Sequence, residues 1–475
     1  MSNKIDDYIK KAEISAKQKQ EYKNKVKKWN FDTIAVHGIY SIDEAMAGGA
    51  GIVEPIVPST SQAFRDSDEL EAALAYKIPA WGYSRIHNPT IHYLEETLSL
   101  LETYGSDIQA NAICTSSGMS AIKQAVEPLV AQIKGNNNPI NFVSATQVYG
   151  GSFQLFSVRM PERGVEPRWI RSPWDIEEWK RQIDENTRFL YAEMPSNPQQ
   201  ACFDIEKVAD LAHQHNIPLI VDGTIATPAL LRPLTHGADI VVHSITKTIG
   251  SSGSAIGGAI IAKHNIISKH LNDDQKGNYA LWLKLLPARD SGPCMSSFSA
   301  YQFLCELKTL RIRMEHFSKN TQKVVEYLSN HPKIEKVDYL GLENHPLHSL
   351  AKKYMKLADT DQPMFGHLCS FNYNGSVEET RQFFDNLQII SRATDLGRIK
   401  SVATIPAIST HQQQGEEGRE LANIPPNMIR LCVGGENAQD IINDLDQALA
   451  NSGRIQGGIN TNQEKFVSEF NLENN

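Results

Sequence analysis

Residues 217–247 read IPLIVDGTIATPALLRPLTHGADIVVHSITK, and this stretch decides the fold. It holds two apolar, β-branched runs, Leu219–Asp222 and Ile240–His243, each bounded by polar or Gly residues and so predicted to be a strand. Similar runs lie upstream at Ala112–Cys114, Asn141–Val143 and Phe189–Ala192, alternating with helical stretches such as Ser120–Val130. Strands that alternate with helices over residues 111–258 predict a doubly wound, mostly parallel α/β sheet with crossover helices. Such sheets bind ligands in a crevice at the carboxyl ends of their strands. Asp222 and Lys247 stand at two of those ends.

Outward from this block the texture changes. Residues 3–28 carry mixed charges with sparse apolar positions and no Pro or Gly, which predicts an exposed N-terminal helix. From Phe31 to Phe64 the chain turns Gly/Pro-rich, with Ala47–Gly51 expected as an irregular arm. Beyond Phe298, Ala300–Ser329 reads as one long amphipathic helix, followed by short strands and helices to Leu449, as expected of a smaller α+β domain. The polar, Gly/Asn-rich tail Asn451–Asn475 is expected to pack loosely or lack order. The expected division is thus 1–64, helix and arm; 65–298, α/β domain; 299–450, α+β domain; and 451–475, tail.

Composition narrows the function. Of 475 residues, 41% are hydrophobic and 21% charged, and no apolar window of membrane-spanning length exists, so a membrane role is not expected. The N-terminus lacks the apolar core of a secretory signal, which makes the cytoplasm the default compartment. The net charge of −8 includes no basic block, which argues against nucleic acid and for a small-molecule role. Six scattered cysteines form no metal-binding or disulfide pattern and read as buried thiols. His213 and His215, two apart on a predicted helix, point to different faces, so no metal centre is expected.

A lysine at a strand's carboxyl end, flanked by the hydroxyls of Ser244 and Thr246, can form an imine with an aldehyde cofactor; taken alone, Lys247 reads instead as a solvated surface residue, as most lysines are. Asp222 closes a neighbouring apolar strand, where a carboxylate is costly without a partner. A protonated pyridine nitrogen would be one such partner, and capping the next helix is the alternative. Thr115-Ser116-Ser117-Gly118-Met119, between a strand and a helix, suits a phosphate at the helix N-terminus or a plain cap. Tyr149, beside Gly150 and Gly151, can stack on a flat ring or fill a turn in the core. Asn197 can hydrogen-bond a ring hydroxyl, or simply begin an Asn-Pro turn.

Together these segments carry more than any does alone. Tyr83-Ser84-Arg85-Ile86-His87-Asn88-Pro89-Thr90, Ser117-Gly118-Met119, Tyr149-Gly150-Gly151, Glu193 to Pro198, Val221-Asp222, Ser244 to Lys247 and Arg430-Leu431-Cys432-Val433-Gly434 resemble, in order, the successive motifs of the cysteine/methionine metabolism (transsulfuration) family of pyridoxal 5′-phosphate (PLP) enzymes. The resemblance spans roughly Phe31 to Leu449. It implies PLP fold type I, the aspartate-aminotransferase-like arrangement, with residues 65–298 as the PLP-binding domain. It also implies Lys247 as the cofactor lysine and proton shuttle, Asp222 on the ring nitrogen, Tyr149 stacked on the ring, and Asn197 at the ring hydroxyl. Gly118, Met119, Ser244 and Thr246 would hold the phosphate; Tyr83 and Arg85 would reach the phosphate of a neighbouring subunit in a homotetramer built as a dimer of dimers. Arg430 would clamp the carboxylate of an amino-acid substrate.

The sequence departs from the family at two places. Gly223 stands where most relatives have Asn, and Asp395-Leu396-Gly397 replaces the usual Ser-Leu-Gly near the substrate carboxylate. Asp395 either faces the substrate, repelling a carboxylate or binding an amino group, or turns away. Thr394 occupies the position where cystathionine-cleaving relatives often carry Glu, and Lys400-Ser401 resembles the O-acylhomoserine sulfhydrylase branch. The expected activity is therefore γ-replacement on an O-acylhomoserine. Cystathionine or methionine γ-lyase is the first alternative, and a PLP-binding protein without catalysis the second.

Overall fold

The computed structural model describes residues 3–131 and 138–453. Seven strands form the larger sheet: β1 Ala110–Thr115, β2 Ile140–Ala145, β3 Val165–Ile170, β4 Thr187–Glu193, β5 Leu219–Asp222, β6 Ile240–His243 and β7 Gly258–Lys263. Their order is β1-β7-β6-β5-β4-β2-β3. The pairs among β2 to β6 are parallel, while β7 runs antiparallel to both β1 and β6. Helices cover both faces, so β4, β5 and β6 are buried along their whole length, with the apolar runs Phe189–Ala192, Leu219–Val221 and Ile240–Val242 within them. The register sets Glu193 opposite Asp222 and Asp222 opposite Val242, which brings the carboxyl ends of β4, β5 and β6 level at one rim.

Five further strands, β8 Ile334–Asp338, β9 Leu368–Tyr373, β10 Ser391–Arg392, β11 Val402–Thr404 and β12 Met428–Cys432, build a second, smaller sheet ordered β10-β11-β12-β9-β8. The architecture is the mixed α/β fold expected, with a mostly parallel large sheet and a smaller sheet domain. Among the described residues no helix is long and apolar enough to cross a membrane.

Several sequence expectations need correction. The stretch Ala300–Ser329 is two helices, Ser297–Leu307 and Leu310–Ser329, because Arg313 folds back at the break. Its guanidinium donates to the carbonyls of Glu306 (2.8 Å), Thr248 (3.0 Å) and Ile249 (3.1 Å), meeting the end of the first helix and tying it to the segment just after Lys247. Ala47 belongs to a short helix, Ile42–Ala47, started by a Ser41/Glu44 capping box, so only the residues after it are irregular. Cys294 and Cys305 are exposed, unlike the other four cysteines. Asn451 closes the final helix, Ala438–Asn451; the tail from 454 onward lies outside the described residues.

The N-terminal helix, Asn3–Val26, is largely exposed as expected, and it is anchored to the helical layer beside the large sheet. Lys4 (2.8 Å) and Tyr8 (2.9 Å) meet Asp66, Lys23 pairs with Glu96 at 2.5 Å, and Val26 is buried in the core.

Replacing Arg313 by Met leaves the buried carbonyls of Thr248 and Ile249 without their donor. Urea unfolding is expected to show a loss of about 3 kcal/mol or more against wild type; an unchanged midpoint would mean that the break between the two helices does not depend on Arg313.

Candidate active site

The rim where β4, β5 and β6 end gathers most of the residues singled out from sequence. Lys247 sits in the turn after β6, half-buried, and its Nζ donates to Asp395 Oδ1 at 2.7 Å. Asp395 therefore faces the site. Its other oxygen meets Arg398 Nε, and Arg398 donates onward to the carbonyls of Thr246 (2.7 Å) and Gly250 (3.0 Å). Burial raises the Asp395 pKa, but the bonds from Lys247 and Arg398 outweigh it, and the carboxyl lies below its ordinary range.

Asp222, at the end of β5, is 8% exposed. One carboxylate oxygen accepts the Thr224 N–H at 2.9 Å and the other lies 3.5 Å from the Tyr191 hydroxyl, so it closes a turn instead of capping a helix. Beside it at the end of β4 is Glu193, which sequence reasoning placed in a motif but gave no role. Glu193 accepts the Tyr149 N–H at 2.6 Å. Burial and then the neighbouring Asp222 push its pKa well above the carboxylate range; burial also raises Asp222, whose hydrogen bonds to Thr224 pull the other way. Of this pair Asp222 is the one placed to ionise.

The turn before the helix Gly118–Val126 forms a close cradle. Ser117 caps the helix by accepting the Ser120 N–H at 3.1 Å. A Cβ at Gly118 would lie 2.5 Å from the Ser244 Cβ, so only glycine lets this helix start approach the strand end so closely. Met119 and the Tyr149 ring come together over Gly151: a Cβ there would lie 2.9 Å from the Met119 sulfur and 2.6 Å from Tyr149 Cε1. Tyr149 is 41% exposed, with its ring at the site and not in the core. Thr246 is committed elsewhere: its hydroxyl donates to the Gly257 carbonyl at 3.0 Å and accepts the Gly257 N–H at 2.9 Å, so it has no proton left for a phosphate.

Arg430, on β12, is 1% exposed. It donates through NH1 to Asn197 Oδ1 at 3.2 Å, and through NH2 to the carbonyls of Asp395 (2.7 Å) and Thr394 (3.1 Å). Its Nε has no partner among the described residues. Asn197 thus orients Arg430, a contact the sequence did not predict. His411, also missed from sequence, is fully buried; burial first and then Arg430 push it down to about 4, so the imidazole is neutral. No motif marks this histidine, and only the folding of residues 405–415 against Gly150 brings it in.

Tyr83 and Arg85 do not join this cluster. The Arg85 guanidinium lies 5.3 Å from the Tyr83 ring centroid and its NH1 donates to the Arg289 carbonyl. Ligand atoms of His87, His92 and Glu95 converge within 4.8 Å elsewhere. Both oxygens of Glu95 are already used, by Lys284 and by the Cys114 N–H, and Lys19, Lys23 and Lys284 place positive charge around the two histidines. His213, expected to bind no metal, is bonded to Asp239 at 2.8 Å.

The donor set suits PLP. A glycine-lined helix start, an amine, a buried acid placed to ionise and an arginine with a free donor surround one rim, matching phosphate, aldehyde, ring nitrogen and substrate carboxylate.

Comparison with known proteins agrees. The sequence pattern of the family described as Cys/Met metabolism PLP-dependent enzyme matches residues 32–450. Homocysteine synthase of Schizosaccharomyces pombe is 34% identical, the match covering 88% of this chain and 98% of that protein. L-methionine gamma-lyase of Fusobacterium nucleatum subsp. polymorphum is 36% identical over 83% of this chain and 92% of its own. A solved structure from Campylobacter jejuni, assigned as an O-acetylhomoserine (thiol)-lyase and carrying N′-pyridoxyl-lysine-5′-monophosphate, superposes with a TM-score of 0.79 at 33% identity, covering 89% of this chain and all of that one.

Gly118→Ala forces the helix start away from Ser244. Titration of PLP into the stripped variant is expected to show affinity lowered by about tenfold or more, ~1.4 kcal/mol; unchanged affinity would remove this cradle from the cofactor site.

Proposed function

The chain belongs to the Cys/Met metabolism PLP-dependent enzyme family, and from that premise we propose that it catalyses γ-replacement on an O-acylhomoserine, exchanging the acyloxy group for sulfide or a thiol. The observation that carries this reading is Arg430. Three of the five N–H donors of its buried guanidinium are taken by Asn197, Thr394 and Asp395, which leaves Nε and one NH1 proton for an α-carboxylate. Through Asp395 the same arginine is linked to Lys247, so a substrate held by its carboxylate lies with its α-carbon near the lysine.

Lys247, Asp222, Tyr149, Gly118, Met119 and Ser244 would hold PLP. Tyr83, 45% exposed, and Arg85 would contribute from a neighbouring subunit of a homotetramer, with the cytoplasm as the expected compartment. When bound, PLP supplies an electron-poor ring that takes up the electron pair left at the substrate α-carbon. Lys247 removes the α-proton, and Asp395 at 2.7 Å receives the resulting ammonium as its ion pair. Lys247 gives that proton up to the bound cofactor and then removes a β-proton, whose electron pair expels the acyloxy group from the γ-carbon as a carboxylate while Arg430 keeps the substrate carboxylate fixed. Sulfide or a thiol adds at the γ-carbon, losing a proton, and Lys247 returns one proton to the β-carbon and one to the α-carbon. Similarity to homocysteine synthase and to O-acetyl-L-homoserine sulfhydrylases supports replacement, as does the absence of Glu at 394.

A second reading, γ-elimination, is supported by the 36% identity to L-methionine gamma-lyase. In it the γ-substituent leaves as a thiol, no nucleophile replaces it, and hydrolysis by water releases a 2-oxo acid and ammonia.

Incubation with O-acetylhomoserine and sulfide or cysteine, with product detection, is expected to yield homocysteine or cystathionine. Rapid 2-oxobutanoate release from methionine or cystathionine without turnover of the O-acyl esters would overturn replacement in favour of the lyase.

A further inference from the structure

Behind Asp222, on the side away from Glu193, lies a buried pair outside every motif role above. His243, the last residue of β6, and Glu102, the last of the helix Pro89–Glu102, are 1% and 0% exposed. His243 Nε2 and Glu102 Oε2 lie 3.2 Å apart. The imidazole rests against the residue that follows Asp222: a Cβ at Gly223 would lie 2.8 Å from His243 Cε1. The departure to glycine at 223 therefore has a use here, since it makes room for this ring. His243 Nδ1 is buried and has no hydrogen-bond partner among the described residues.

We propose that His243, held by Glu102, is a positioning residue for Asp222: the pair keeps one proton between them, and the positive charge this leaves on the imidazole holds Asp222 ionised against its neighbour Glu193. The inference rests on the PLP reading above, because an ionised Asp222 matters only if it must hold a protonated ring nitrogen. A lone carboxylate at this buried strand end would take up a proton, and a neutral acid could not hold the ring nitrogen protonated. Among the described residues, the contacts of Asp222 on the neighbouring strand β4 are the Tyr191 hydroxyl and Glu193, neither of them a cation. His243 follows Val242, the register partner of Asp222, and its ring lies against Gly223, so a charge on the imidazole favours the ionised Asp222, after the two hydrogen bonds from Thr224. On the far side, burial raises the Glu102 pKa; the bond to His243 and its charge act against this first and Arg232 next, so the 3.2 Å pairing is what keeps charge on this buried carboxylate.

The test reads the ring nitrogen itself. Wild type, Glu102→Gln and His243→Gln are loaded with ¹⁵N-labelled PLP and the ring-nitrogen shift is followed by NMR at fixed pH, alongside thermal melting. Glu102→Gln keeps the shape and removes the charge, so it carries the test alone if His243→Gln does not fold. Both variants are expected to bind PLP and to show the ratio of protonated to free ring nitrogen lowered by about tenfold, the change that one pKa unit represents. A merely structural role would lower the melting temperature and leave that ratio unmoved, and an unmoved ratio in folded Glu102→Gln overturns the inference. A wild type that takes up no PLP contradicts the function proposed above instead, so the two failures are told apart.

Discussion

The ion pair between Lys247 and Asp395 joins the two sheets. Lys247 hangs from the end of β6, while Asp395 stands in the segment between β10 and β11 of the smaller sheet, and each is only half-buried. A charged amine in such a place needs a counter-charge, and the carboxylate in turn is held by Arg398, which reaches back to the carbonyls of Thr246 and Gly250 on either side of the lysine. Lys247 is thus fixed both along the chain and across the cleft. The backbone carbonyls of Thr394 and Asp395 also fix Arg430, so Arg430 and Lys247 are set by one short segment.

The same constraint, that buried charge must be matched, orders the rest of the rim. Glu193 and Asp222 lie level on adjacent strands and cannot both be ionised; the bonds to Thr224 favour Asp222 as the anion. Arg313, far along the chain, meets the carbonyls of Thr248 and Ile249 and so anchors the turn that presents Lys247.

Much of this was legible in the sequence. The five runs singled out as strands became β1, β2, β4, β5 and β6, because strands buried on both faces must be apolar throughout, and that pattern shows in the residues themselves. Gly118, Ser244, Asp222 and Lys247 met at one rim because each ends or follows such a strand. What stayed hidden depends on contacts distant in sequence. Arg313 splits a helix by reaching carbonyls on another segment, and helix propensity alone reads straight through that break. The orientation of Asp395 is decided by Lys247 and Arg398, His411 enters through a loop fold, and the Thr246 hydroxyl is taken by Gly257. The N-terminal helix, without evident purpose as a sequence, is held by Asp66 and Glu96.

Everything proposed for this rim depends on Lys247 carrying the cofactor. Borohydride reduction of the PLP-loaded protein followed by peptide mass spectrometry tests it most directly. A phosphopyridoxyl group is expected on the peptide containing Lys247 and none on the corresponding peptide of Lys247→Ala. A label on a different lysine, or no label on a protein saturated with PLP, would contradict it.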